Sequence, residues 1–182
     1  MKELTKRGRN DIAWKLMESE RLPSWIYSIN QGATTIWEQW SGWDGKNPKG
    51  GMNSLNHYAF GSVGEYLYGI IGGIQPAAPG YQKITIAPVI GGGLTWANTR
   101  YDSICGRIVS NWKLEGDKLT MDVTIPANTT ATVFVPTKDP ASVTESGKPP
   151  AQAKDVKFLR TENHAAVYAV GSGTYQFQSA LP

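Results

Sequence analysis

The sequence predicts an α+β chain: two amphipathic helices, then an antiparallel β-sandwich. Three observations predict it. Apolar residues recur at i, i+3 and i+4 as far as Gly72-Gly73, and beyond Pro76 and Pro79 the apolar period drops from helical to two. The third is turn punctuation: Glu115-Gly-Asp117, Ala127-Asn128 and Gly171-Ser-Gly173 separate short alternating runs, as the loops of a sandwich do.

In chain order, Leu4, Ile12, Leu16 and Met17 share one helical stripe over residues 2–20, with Gly8 in the missing turn and Pro23 as the stop. Arg7, Arg9, Lys15 and Glu18 fall mostly off that stripe and read as a solvated face. Residues 44–51 are too rich in Gly, Pro, Asn and Asp for regular structure, so a mobile loop is expected there. Asn53 or Ser54 can then cap a second helix carrying Leu55, Ala59, Val63, Tyr66, Leu67 and Ile70 on one face, with His57 in its first turn. The strands follow: Ile84 and Ile86; Leu94 and Trp96; Ile108, Trp112 and Leu114; Leu119, Met121, Val123 and Ile125; Ala131, Val133 and Val135; 167–170; and 175–177. A short edge strand is expected near Val143. Domains are therefore expected at 1–80 and 81–182. Two helices cannot bury their apolar stripes alone, so the first part reads as the end of a larger α-domain. Its unpartnered stripe is expected either to self-associate or to fold back within the chain.

Composition narrows the function. The 182 residues carry a net charge of +3 without a basic cluster, which excludes a nucleic-acid partner. One cysteine, Cys105, rules out an internal disulfide framework, and with only His57 and His164 as imidazoles no zinc constellation is available. No metal and no cofactor are expected, and neither a signal peptide nor an apolar run long enough for a membrane span is visible.

One stretch points to chemistry. Residues 32–45 set Glu38 and Asp44 among Trp37, Trp40 and Trp43. A pyranose presents a C–H face that stacks on indole and hydroxyls that need oriented acceptors, so these five side chains suit a sugar. Glu38, between an apolar pair and a Gln, is expected to be partly buried in one rotamer, which suits a general base. The same residue types also serve as core packing, with the glutamate capping a backbone or pairing with an arginine, and His57 alone fits a packing residue as well as a ligand contact.

Longer motifs carry a resemblance. Gly32-Ala-Thr-Thr-Ile-Trp-Glu-Gln-Trp40, then Met52-Asn-Ser-Leu-Asn-His-Tyr-Ala-Phe-Gly-Ser-Val-Gly-Glu-Tyr-Leu-Tyr68, then Ala87-Pro-Val-Ile-Gly-Gly-Gly-Leu-Thr95 resemble the C-terminal part of the bacterial α-L-rhamnosidases. Arg100-Tyr-Asp-Ser-Ile-Cys-Gly-Arg-Ile108 and Val123-Thr-Ile-Pro-Ala-Asn-Thr-Thr-Ala-Thr-Val133 extend it over nearly the whole chain. The resemblance implies the terminal helices of an (α/α)6 toroid followed by a β-sandwich, and an inverting hydrolysis of terminal α-L-rhamnose from a rhamnose-containing glycoside or polysaccharide. It makes Glu38 the general base and His57 a sugar contact, with Trp37, Trp40, Trp43 and Asp44 in or around the pocket. The family's general acid lies in an earlier part of the toroid with no equivalent here, so a fragment inactive alone is expected. The rivals are a carbohydrate-binding or structural sandwich module, which would need an aromatic patch on the sandwich, and another toroid glycosidase or phosphorylase. Trp96 and Trp112 share the phase of core residues, which argues against such a patch.

Overall fold

A computed structural model describes residues 1–42 and 54–181, which fall into two compact units, Met1–Tyr66 and Leu67–Pro182.

In the first unit the expected long helix is two short ones, α1 (Lys2–Lys6) and α2 (Asn10–Met17). Gly8, at φ +71°, does not fill a turn but ends one: the left-handed conformation that glycine tolerates breaks the hydrogen-bond ladder there. The buried face is also rotated from the expected stripe, since Ala13 and Trp14 are buried while Leu16 is 46% exposed. Trp14 meets Tyr66 edge to face with ring centres 6.3 Å apart, and Lys2 pairs with Glu65. Helix α3 (Trp25–Asn30) starts after Pro23, its N-cap Ser24 accepting the Tyr27 amide at 2.9 Å.

The second expected helix is shorter and irregular. A 3-10 turn (Ala59–Ser62) leads into α4 (Val63–Tyr66), and the chain continues as a π-helical turn (Leu67–Ile71) before Gly72-Gly73. Leu55 and His57 lie outside it. Gly61, Gly64 and Gly69 each cost about 1 kcal/mol relative to alanine in a regular helix, enough to deny so short a segment an α-helix along its length.

The second unit is two five-stranded sheets. β1 (Ile74–Pro76), β2 (Lys83–Ile86), β6 (Thr130–Pro136), β9 (Ala165–Val170) and β8 (Val156–Glu162) form sheet one in the order β1-β2-β6-β9-β8. β3 (Trp96–Ser103), β4 (Gly106–Glu115), β5 (Lys118–Ile125), β10 (Gly173–Ala180) and β7 (Thr144–Glu145) form sheet two in the order β3-β4-β5-β10-β7. All pairs are antiparallel except β2 with β6, which run parallel. The turns behave as their residues require: Gly116 (φ +64°) closes the β4–β5 hairpin, and Asn128 (φ +59°) lies where the chain passes from sheet two to sheet one. Leu119, Met121 and Val123 of β5 and Val133, Val135 and Val167 of sheet one are fully buried, and Tyr168 of β9 stacks on Phe177 of β10 at 5.4 Å, joining the two inner faces. Each such aliphatic side chain contributes about 1.5–3 kcal/mol by leaving water.

Two placements depart from the sequence reading. Ile74, 4% exposed, pairs with Ile86 through β1, so residues expected in the helical domain join sheet one, and the units divide at Tyr66/Leu67 rather than after residue 80. Trp112 is in the core as expected, its indole Nε1 donating to the Ile71 carbonyl at 2.8 Å. Trp96 is not: it is 60% exposed, because the β3–β4 register sets it opposite Lys113 and gives the inward position beside Trp112 to Ala97.

Candidate active site

Glu38 sits in irregular chain, and its order comes from a second segment. Residues 35–38 and 54–57 run past each other in opposite directions: the Glu38 amide donates to the Ser54 carbonyl at 2.9 Å, and the His57 amide donates to the Ile36 carbonyl at 2.7 Å. The Thr35 hydroxyl donates to the Leu55 carbonyl, adding a side-chain tie. The Ser54 amide completes the arrangement by donating to Glu38 Oε2 at 2.7 Å. A backbone N–H on a carboxylate oxygen is a charge-assisted bond, and it fixes the direction in which the carboxylate faces. Glu38 is half-buried, as its sequence neighbours imply.

The pairing brings Glu38 and His57 onto adjoining segments. His57 is not on a helix; its Nδ1 accepts the Ala59 amide at 3.2 Å, which assigns the proton of the neutral ring to Nε2. The imidazole stacks on Tyr58 with ring centres 5.1 Å apart, and Tyr58 is 87% exposed. A neutral imidazole held through Nδ1 has one N–H left to donate, which suits a hydroxyl or ring oxygen of a ligand.

Trp37 and Trp40 lie elsewhere. Trp37 is 6% exposed and, with Trp25, Ile29, Trp40 and Phe60, lines an apolar cavity of about 240 Å³. Trp40 stacks on Phe60 at 3.8 Å and meets Trp25 edge to face at 5.0 Å, while the Trp25 indole donates to the Phe60 carbonyl at 3.0 Å. Among the described residues, neither Glu38 nor His57 lines this cavity. The expected patch of indole and carboxylate is therefore split: Trp37 and Trp40 pack an aromatic cluster, and Glu38 stands apart from it. Trp43 and Asp44, the loop of residues 44–51 and the candidate cap Asn53 lie outside the described residues. Sequence reasoning missed the role of Ser54, whose amide orients the carboxylate, and missed Trp25 and Phe60 as the partners of Trp40; no local periodicity signals contacts made across 16 to 35 positions.

The profile of the bacterial alpha-L-rhamnosidase 6 hairpin glycosidase domain matches residues 1–71, and that of the bacterial alpha-L-rhamnosidase C-terminal domain matches residues 73–149. The chain belongs to the bacterial α-L-rhamnosidase family. It is 40% identical over 179 residues to an alpha-L-rhamnosidase of Formosa agariphila, covering 97% of this chain and 19% of that protein. The crystal structure of Streptomyces avermitilis alpha-L-rhamnosidase complexed with L-rhamnose superposes with a TM-score of 0.84 at 38% identity, covering 96% of this chain and 16% of that one. The alpha-L-rhamnosidase of Dictyoglumus thermophilum gives 0.83 at 34% identity, covering 96% and 19%. The chain thus corresponds to a C-terminal part of an α-L-rhamnosidase and spans less than a fifth of the length of these relatives. The division between the two profiles falls at Gly72, one turn beyond the division between the compact units.

Proposed function

We propose that this chain contributes the general base to an inverting α-L-rhamnosidase that releases terminal α-L-rhamnose, its helical part closing an (α/α)6 toroid. Glu38 takes a proton from water as the water oxygen bonds to the anomeric carbon; the glycosidic C–O bond breaks on the opposite face, and the departing oxygen is protonated by an acid the chain does not supply. The two carboxyl groups of such a pair stand about 6.5–9.5 Å apart to admit the water. His57 donates to the sugar, and Trp43 and Asp44 flank it.

The observation that carries this reading is the Glu38 carboxylate held by the Ser54 amide on a segment paired with that of His57. A glutamate serving only to solubilise a loop needs no such tie. The L-rhamnose named for the S. avermitilis complex adds support for the sugar.

The purified chain is expected to hydrolyse no aryl α-L-rhamnoside. A chimera in which it replaces the matching part of the S. avermitilis enzyme is expected to be active, with inverted product by NMR. In that chimera Glu38→Gln should lower kcat by about 10²–10⁴, the usual worth of a positioned proton-transfer group. Turnover by the chain alone that Glu38→Gln abolishes would mean that Asp44 or Glu65 acts as the acid, and an active Glu38→Gln chimera would remove Glu38 from the mechanism.

A further inference from the structure

The outer face of sheet two carries a second arrangement suited to sugars. Strand register sets Asn98, Asn111, Asp122 and Gln176 side by side across β3, β4, β5 and β10. Neighbouring strands lie about 4.8 Å apart, so the row extends about 14 Å across the sheet. Trp96 lies one same-face step along β3 from Asn98, opposite Lys113, and is 60% exposed. The surface is indented there. A cavity of about 240 Å³ is bounded by Trp96, Asn98, Asn111, Lys113 and Asp122, and it adjoins, at Asn98 and Asn111, a second of about 440 Å³ that reaches Arg100 and Arg107.

The polar groups are fixed before any ligand arrives. Asn111 Oδ1 accepts the Thr99 amide at 3.0 Å, which leaves its NH₂ as the group it presents. Asp122 Oδ1 accepts from Gln176 Nε2 at 2.9 Å, so the carboxylate is oriented as an acceptor beside that donor. Held on strands, these side chains lose little freedom on binding. Among the described residues no ring stacks on the Trp96 indole, whose face stays available to a flat apolar surface.

We propose that this face binds a neutral oligosaccharide of several pyranose rings, one stacked on Trp96 and the others hydrogen-bonded along Asn98, Asn111 and Asp122. The inference goes beyond the catalytic reading and does not depend on Glu38. Sugar hydroxyls both donate and accept, which matches an alternation of amide and carboxylate groups, and a sugar ring supplies the C–H face that an isolated exposed indole lacks. The face does not suit nucleic acid: Arg107 is paired with Asp102 and Lys113 with Glu115, so no unopposed basic stripe runs along it. Nor does it suit a protein hot spot, because polar side chains surround the indole where an interface core needs apolar ones.

The test is an NMR titration of the isotopically labelled full chain with two probes, an α-linked rhamnotetraose and maltotetraose. The Trp96 indole N–H and the Asn98 and Asn111 side-chain signals should shift with at least one of them, with a Kd no weaker than about 10 mM. Trp96→Ala should weaken that binding at least about tenfold and Asn111→Ala measurably, while Trp96→Tyr, which keeps a ring, should stay within a few-fold of the parent. An unchanged amide spectrum away from the site shows that each variant is folded. The proposal is overturned if neither probe moves these signals up to about 10 mM, or if folded Trp96→Ala binds as the parent does.

Discussion

Replacing Gly73 with alanine tests how the chain enters the sandwich, and its cost can be worked from the geometry. Gly73 sits at φ +74°, a left-handed conformation that costs an L-residue about 1–2 kcal/mol. A Cβ there would lie 2.2 Å from the Pro88 nitrogen and 2.4 Å from the Ala87 carbonyl carbon, both backbone atoms that no side-chain rotation can move. Relief requires shifting residues 87–88, yet the Ala87 amide is bonded to the Gly73 carbonyl at 2.9 Å and the neighbouring Ile74–Ile86 pair is buried. Overpacking of this kind adds about 1–3 kcal/mol. Gly93 provides the control, since its φ is +69° and a Cβ added there meets nothing within 4 Å. Both replacements reduce the entropy of the unfolded chain equally, so the difference between them isolates the clash. Gly73→Ala should therefore destabilise the second unit by about 1–3 kcal/mol more than Gly93→Ala, roughly 5- to 150-fold in the opening equilibrium. Hydrogen exchange of the β5 amides reads that equilibrium for this unit without assuming that both units unfold together. Equal protection in the two variants would refute the reasoning.

Two further outcomes follow from the same core. Trp112→Phe removes the donor to the buried Ile71 carbonyl and should cost about 1–3 kcal/mol beyond the lost ring area, seen as a lower urea midpoint; an unchanged midpoint would show that the bond carries no net stability. Burial raises the Tyr168 and Tyr175 phenols above their ordinary value of 10.0, and at Tyr175 the Asp155 and Glu145 charges push the same way. The folded chain then holds protons that the unfolded chain has released, so stability should fall as pH rises above about 10, and Tyr168→Phe should flatten that slope in urea midpoints measured across the range.

The sandwich was legible where a strand buries one face completely. Leu119 to Ile125 alternates without a break, and the structure buries every second residue of it. Legibility failed at the edges. β1 is three residues long, too short for a period, and β8 leaves Phe158 and Leu159 half exposed around an irregularity in its register, so neither announces itself as a strand. Trp96 shows the harder limit: alternation tells which residues share a face but not which face is inside, and only pairing with Lys113 decides it. Spacing suggested two continuous helices, but Gly8 ends the first after α1, and the second, with Gly61, Gly64 and Gly69 inside it, breaks into three short segments of different winding. Residue types pointed to Glu38 and His57; the bond that orients Glu38 joins positions 16 apart and leaves no mark in local sequence.

Trp37 and Glu38 are adjacent in sequence and yet have different partners. Trp37 lines the apolar cavity beside Trp40 and Phe60, while the Glu38 carboxylate accepts the Ser54 amide. The same backbone is held on one side by the aromatic cluster and on the other by the bonds from residues 54 and 57. The Ser54 amide sets the direction of the carboxylate, and Trp37 and Trp40 pack within the same stretch of chain. An aromatic-rich stretch beside the proposed base thus reads as a stacking platform in sequence, while Trp40 packs with Trp25 and Phe60 and Trp37 lines the same cavity. Trp37 is buried next to Glu38, and the Ser54 amide orients the carboxylate that the proposed mechanism uses as its base.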